Sequence, residues 1–312
     1  MARARGANAL MAGAFESVYG TPPVSGYKRL PFVSSNLGEE QNLIADDLLG
    51  YGREPLPPSL DVINNAGDLT VPVDVRNFGS WLKLYFGNPT STDDTGVYSH
   101  AFTSGASVLP SMSIEVGLPE VPSYGMNFGV RGNTMRIGMQ RSGQLAATLG
   151  LIAKGETKAG ATAAGTPSQA EVRRFSQFTG SVKREGAQLG SVVSAEFTFT
   201  NNLDPVETIR SDGRIEDADP GMVGMTGSIV TRFADTVLLD QAQSGEPCEV
   251  SFGWAIDADT SLTFLVPAVY LPRAKQPVSG PGGVQATFNW QAARGAGGHV
   301  CIATLVNDVA SY

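Results

Sequence analysis

The stretch Leu69-Thr-Val-Pro-Val-Asp-Val-Arg-Asn-Phe-Gly-Ser-Trp-Leu-Lys-Leu-Tyr-Phe-Gly-Asn-Pro89 carries two periodicities back to back. Leu69, Val71, Val73 and Val75 alternate with Thr70, Pro72 and Asp74, the period of a half-buried strand. Pro72 has no backbone donor, so it predicts an edge or a bulge there. Phe78, Trp81, Leu82 and Tyr85 then fall at i, i+3, i+4 and i+7, one face of a helix. Asp74 is placed to cap its start, and Gly87 followed by Pro89 stops it.

The second half of the chain repeats this programme. A run after Gly227 puts Ile229, Thr231 and Phe233 on one face, Asp235 can cap a helix, and its buried stripe would be Val237, Leu238 and Ala242. Gly245 and Pro247 end it, so both helices close on Gly-x-Pro. Ahead of each unit, Phe32–Ile44 and Phe199–Ile209 run from a strand through Asn-Leu into an acidic stretch. Behind each comes an alternating strand, Met112, Ile114, Val116, Leu118 in one half and Leu262, Phe264, Val266 in the other. Each half then reads as closing on a hairpin. Met135, Ile137 and Met139 turn through Arg141-Ser-Gly143 into Leu145–Leu151. Val284–Trp290 turn through Arg294–Gly298 into Val300–Val306. Order conserved over so many segments predicts an internal duplication.

Gly155 to Ala170 is rich in Gly, Ala and Thr and reads as an interdomain linker or surface loop. The expectation is a mainly β protein with two tandem antiparallel β-sandwich or barrel domains, each carrying one packed short helix. The first would span residues 1–160 with an N-terminal arm, the second 161–312 with the linker. Strand, strand, helix, strand, hairpin is not the alternation of a doubly wound sheet.

The 312 residues suffice for two domains of ordinary size or one large all-β domain. With 17% charged residues, 42% hydrophobic, 37 Gly and 19 Pro, the composition is that of a turn-rich folded chain rather than a disordered one. No apolar run approaches the roughly 18 residues a membrane-spanning helix needs. Met1-Ala-Arg-Ala-Arg5 and the small residues after it faintly imitate a secretory leader, but Asn8 and Glu16 break the pattern. The segment reads instead as an ordered or partner-docked arm. The net charge of −8, from 22 basic and 30 acidic residues, argues against gripping a phosphate backbone.

A search for chemistry returns little. Cys248 and Cys301 lie in apolar strand-like runs and read as buried free thiols. His100 and His299 have no ligand-spaced companions for a metal. Ser279-Gly-Pro-Gly-Gly283 lacks the Gly-Lys-Ser/Thr ending of a phosphate loop and reads as a turn. Glu39, Glu40, Asp46 and Asp47 could suggest a carboxylate pair for glycoside hydrolysis, but no aromatic sugar platform surrounds them. The matching region of the second half is acidic as well, at Asp204, Glu207, Asp212, Glu216, Asp217 and Asp219. Acid recurring at matching places fits a surface that must not hold DNA, and it fits plain solvation equally. No catalytic, cofactor-binding or metal-binding residue is assigned.

Several segments, taken in order, resemble the major tail tube proteins of long-tailed, siphovirus-like bacteriophages. They are Gly6-Ala-Asn-Ala-Leu10, Glu16-Ser-Val-Tyr-Gly-Thr-Pro-Pro23, Leu30-Pro-Phe32, Asp46-Asp-Leu-Leu-Gly-Tyr-Gly-Arg53, Val71-Pro-Val-Asp-Val75, Phe175-Ser-Gln-Phe178, Asp219-Pro-Gly-Met222 and Gly282-Gly-Val-Gln-Ala-Thr-Phe288. The resemblance covers nearly the whole chain and rests on colinearity. It implies a tube-type β-sandwich with a flanking helix, and inner strands that join between neighbours into a barrel around a DNA channel. It also implies rings stacked through the N-terminal arm and long loops.

Such tubes are usually sixfold, so two tube-type domains per chain lead us to expect homotrimeric rings with pseudo-sixfold symmetry. Tape-measure and tail-terminator proteins would be further partners, and DNA would pass without specific binding. The chain would be assembled in the host cytoplasm into the virion. Asn8, Leu10, Glu16, Tyr19, Asp46, Asp47, Tyr51 and Arg53 are the candidates for contacts between rings. Glu39, Glu40, Asp204 and Glu207 are the candidates for the channel lining. Other readings are a tail terminator, a decoration protein or a β-sandwich binding module.

Overall fold

A computed structural model describes residues 3–278 and 280–312; Ser279, which opens the expected 279–283 turn, lies outside the described residues. Among the described residues the chain is mainly β, with antiparallel strand pairing and two α-helices, Phe78–Phe86 and Val237–Ser244.

Its centre is one continuous sheet. Side by side run Gly38–Ile44, Ser59–Pro72, Ala146–Ala153, the C-terminal half of Ser123–Met139, Val192–Thr200, Gly224–Arg232 and Gln285–Ala292. We call this the inner sheet. Two outer sheets cover it. One runs Lys28–Arg29, Leu10–Phe15, Met112–Leu118, the N-terminal half of Ser123–Met139, then Gly155–Ala159. The other runs Gly180–Arg184, Cys248–Asp257, Thr260–Tyr270, Ile302–Asn307, Val97–Thr103, Thr90–Asp94.

The strand Ser123–Met139 belongs to two sheets because it bends at Gly129. Residues 124–128 pair with 155–159, and 131–137 pair with 147–152. Gly129 has φ +65°, and a Cβ there would sit 2.7 Å from Lys154 Cβ, so only glycine makes this corner without strain.

The quoted stretch folds as its two periods require. Leu69, Val71 and Val73 are buried, Pro72 closes its strand, and the helix follows. The Asp74 carboxylate accepts the Arg76 and Asn77 amides at 2.9 and 2.5 Å, holding the turn that launches the helix. The helix is buried on more than the expected face: Gly79, Ser80, Leu84 and Phe86 are also shielded. The helix in the second half is peripheral. Leu238 and Ala242 are buried there, but Val237 is exposed, and Phe233 leaves its predicted face because the strand ends at Arg232.

The two halves share an order of pairings. In each, a strand (38–44 or 192–200) pairs with a second (59–72 or 224–232), a helix follows, and then a hairpin (112–118 with 123–139, or 248–257 with 260–270). The first half inserts a hairpin, 90–94 with 97–103, after its helix, and the second inserts the ladder 204–206 with 217–219 between its first two strands. A return strand (146–153 or 285–292) then lies between the second strand and the hairpin. This corrects the strand matching made from sequence. The expected hairpin of 284–290 with 300–306 does not form, because Ile302–Asn307 pairs instead with 261–265 and with Val97–Thr103. The region 155–170 is also more ordered than a linker: Gly155–Ala159 is a strand, and the Glu115 carboxylate accepts the Thr162 hydroxyl and the Ala163 amide at 2.5 and 2.6 Å.

Two strand ladders, besides isolated bridges at Lys28–Ser168, Asp74–Arg174 and Gln144–Ser176, stitch the halves together among the described residues. Residues 134–139 pair with 195–200 in the inner sheet, and 98–103 pair with 302–307 in the second outer sheet. One core cluster accordingly holds Leu69, Trp81 and Ile137 together with Phe197, Phe252 and Trp290. Burying each of these large side chains contributes about 1.5–3 kcal/mol.

Candidate assembly surfaces

Alternation along the inner sheet sends two different sets of side chains to its two faces. Leu69, Leu149, Ile137, Phe197, Ile229 and Phe288 point into the core. The opposite face carries Asp68, Thr148, Arg136, Glu196, Thr198, Thr226, Ser228, Thr287 and Asn289, all partly or fully accessible. It is a surface of hydroxyls and amides with few charges. Two of those charges neutralise each other across the seam, where Arg136 Nη2 lies 2.5 Å from Glu196 Oε2.

The inner sheet ends in two edges. On one side the outermost strand is Gly38–Ile44. On the other, Gln285–Ala292 has its outward side matched only at Ala292 and Gln291, by Val269 and Tyr270. Within the chain the hairpin strand of the first half, 134–139, completes a full seam with 195–200, whereas its counterpart in the second half, Thr260–Tyr270, meets the inner sheet only at Val269 and Tyr270.

At one end of the sheet a ribbon projects. Residues 38–44 pair with 59–66, but the neighbouring strand stops at the Ala153–Asn65 rung, so the ribbon continues alone for about 20 Å at 3.3 Å per residue. Its base is braced. Arg214 Nε lies 2.7 Å from Glu39 Oε1, and the Ile63 amide donates to the Gly213 carbonyl at 2.9 Å.

The sequence-derived candidates divide accordingly. Glu40, opposite Asn64, lies on the continuation of the polar face and is exposed. Glu39 faces the other way, held by Arg214 and by the Glu156 amide at 2.6 Å. Asp204 sits in a short ladder opposite Asp219, and Glu207 is exposed just beyond it. Asp46, Asp47, Tyr51 and Arg53 are all exposed on the loop that caps the ribbon.

The N-terminal candidates are engaged within the chain. Leu10 opens a strand of the outer sheet, and Asn8 Nδ2 donates to Glu120 Oε1 at 2.9 Å. Glu16 accepts four hydrogen bonds, from the Gly20 and Gly129 amides at 2.7 and 2.8 Å and the Ser111 and Ser113 hydroxyls, both at 2.6 Å. The Tyr19 ring lies beneath Arg131, 4.6 Å from its guanidinium carbon, and burial together with nearby Asp217 pushes the Tyr19 hydroxyl pKa well up. The part of Glu16 as a hub was not visible in sequence; a lone carboxylate after the apolar Leu10–Phe15 was its only trace.

Both histidines have structural partners. His100 is fully buried between the Ser91 hydroxyl and the Val309 carbonyl, each 2.7 Å away. His299 Nδ1 donates to the Ser104 carbonyl at 2.8 Å. Cys248 and Cys301 are buried free thiols, as expected, and burial raises the pKa of both. Among the described residues no helix is long and apolar enough to cross a membrane, and no three metal-ligating side chains come together.

A sheet with a polar face and open edges, and a ribbon beyond its end, is a geometry for assembly. The family model described as phage tail tube protein matches residues 6–292. The chain belongs to the phage tail tube protein family. A tail tube protein is a structural component of the virion that self-assembles into a tube, and this chain's β-rich fold agrees with that role. Comparison with curated proteins returned no match.

Proposed function

We propose that this tail tube protein forms closed rings that stack around a DNA channel in a long-tailed phage, with three chains per ring. The observation that carries this reading is the seam within the inner sheet, where 134–139 of one half pair with 195–200 of the other. If the two halves are tandem tube-type units, 1–160 and 161–312, the seam is a unit-to-unit joint already made in one chain. The equivalent joint between chains brings the Gly38–Ile44 edge of one copy to the open side of the next copy's inner sheet, where Val269 and Tyr270 flank Gln285–Ala292. Closing a sheet in this way removes the open edges that make a lone sheet prone to aggregation. Head-to-tail joints of this kind close into rings when the rotation permits.

The polar face of the inner sheet then lines the channel. Hydroxyls and amides hydrogen-bond water and present no cationic cluster, so a passing duplex releases few counterions and is not held. Glu40 extends that lining toward one rim, and Asp204 and Glu207 add negative charge near the same end. The N-terminal segment and the ribbon loop, with Asp46, Asp47, Tyr51 and Arg53, face neighbouring rings. Tape-measure and terminator proteins would meet the lumen and the last ring. No catalytic role is assigned.

Electron microscopy of the purified protein tests this. Hollow tubes whose end-on views average to three chains per ring support it. Six identical chains per ring overturn the trimer, and uniform small particles that never polymerise overturn the tube and favour a terminator, a decoration protein or a binding module.

A further inference from the structure

We infer that the ribbon loop of one chain seats in a groove at the far end of the inner sheet of a second copy, with Asp46 and Asp47 meeting Arg141 and Arg232 there. This rests on the stacked-ring reading and names the surface that receives the ribbon.

The ribbon requires a partner on physical grounds. Two strands alone are marginal in water, yet this pair and its loop expose Leu43 at 64%, Leu49 at 93%, Tyr51 at 67% and Leu60 at 67%. Apolar area concentrated on a projecting arm marks a contact surface. Asp46 and Asp47 stand directly before Leu48 and Leu49, and among the described residues neither makes an ion pair.

The complement lies at the opposite end of the same sheet. Where Ser123–Met139 and Gly224–Arg232 end and Val192–Thr200 begins, a groove of about 770 Å³ opens. Met139, Phe178, Leu189 and Val193 give it apolar walls, and Phe178 is 80% exposed. Arg141 and Arg232 are its charged lining residues; no carboxylate lines it, and among the described residues neither arginine has an ion-pair partner. Two acids beside leucines at one end thus match two arginines beside an exposed phenylalanine at the other. The long strand Ser59–Pro72 separates the two ends by about 40 Å at 3.3 Å per residue, so no chain satisfies its own groove. A contact between unlike ends of identical molecules extends along one axis wherever its rotation does not bring the chain of copies back on itself, and opposite charges speed its formation.

The test uses the full chain, followed by sedimentation and electron microscopy. Asp46→Lys with Asp47→Lys is expected to abolish tubes and leave single rings, with the thermal unfolding profile unchanged because both sites are exposed. Arg141→Glu with Arg232→Glu is expected to do the same. Mixing the reversals in one chain restores the complementary pairing and should recover tubes. Normal tubes from the aspartate variant overturn this inference while leaving the tube reading intact, and no recovery in the combined variant overturns the charge pairing. Failure of the wild-type chain to polymerise overturns the tube reading itself. Independently, Leu49→Cys with Val193→Cys should give a ladder of disulfide-linked chains on oxidation; monomer alone would place the ribbon elsewhere.

Discussion

Phe199 stacks on Phe86 with ring centroids 4.5 Å apart, so the last residue of the first helix packs on a strand from the other half of the chain. Asn201 reinforces this contact by donating from Nδ2 to the Tyr85 and Gly132 carbonyls at 3.0 and 2.9 Å. Both residues are buried.

Phe199→Ala should lower the unfolding free energy by about 3–5 kcal/mol, since it deletes a fully buried ring from a shared core. Urea denaturation followed by both tryptophan fluorescence and circular dichroism should show one transition, shifted to lower urea. Two separated transitions would mean that the halves are held independently.

Glu16→Ala should cost about 2–3 kcal/mol, because four donors lose a shared charged acceptor. Glu16→Gln, which keeps one oxygen, should cost less. Thermal unfolding of the two variants gives the order, and equal melting points for wild type and Glu16→Ala would rule out the hub.

Thr148→Lys with Thr198→Lys places cations on the polar face without touching the core. Tubes should form normally, and genome delivery should fall because each cation adds phosphate binding that must be broken as DNA moves. Infectivity of phage carrying these changes is the measurement; unimpaired delivery would put the lining elsewhere.

Acid should weaken the fold through Asp308 and Asp257. Hydrogen bonds from Arg76 hold the Asp308 carboxyl below the usual carboxylate range, and the Thr260 side chain with Arg173 does the same for Asp257. A depressed folded value means the stabilisation is present above the ordinary carboxylate range and is lost as pH falls through the depressed values. Asp257→Asn with Asp308→Asn should therefore melt slightly below wild type at neutral pH and converge with it in acid. Parallel melting curves at every pH would show that these pairs are inert, as exposed pairs can be.

The strand–helix unit at 69–86 could be read from sequence because burial on one side imposes a period that composition alone displays. The order of strands in the second half could not. Leu262–Val266, Val284–Trp290 and Val300–Val306 all alternate, and alternation says that a strand has a buried face without saying which strand lies beside it. Partner choice came from long-range packing: Ile302–Asn307 is captured by Val97–Thr103, two hundred residues earlier. The stretch 155–170 misled because its order comes from long-range partners that composition does not display: Gly155–Ala159 pairs with 124–128, and the turn beyond it folds around the buried carboxylate of Glu115. Of the site, the acidic loop was legible as a charge cluster. The cations that could answer it were not, because Arg141 and Arg232 are remote in sequence and meet only through the sheet.

The ribbon belongs to the first half of the chain, and the matching insertion after Val192–Thr200 folds back as the short ladder 204–206 with 217–219, from which Arg214 props the ribbon's base. In the three-chain ring proposed above, prongs would therefore alternate with buttresses around the rim. Each new layer would then have half as many rotational settings as a rim of identical prongs would allow, a selectivity that arises from the difference between two halves of a single gene product.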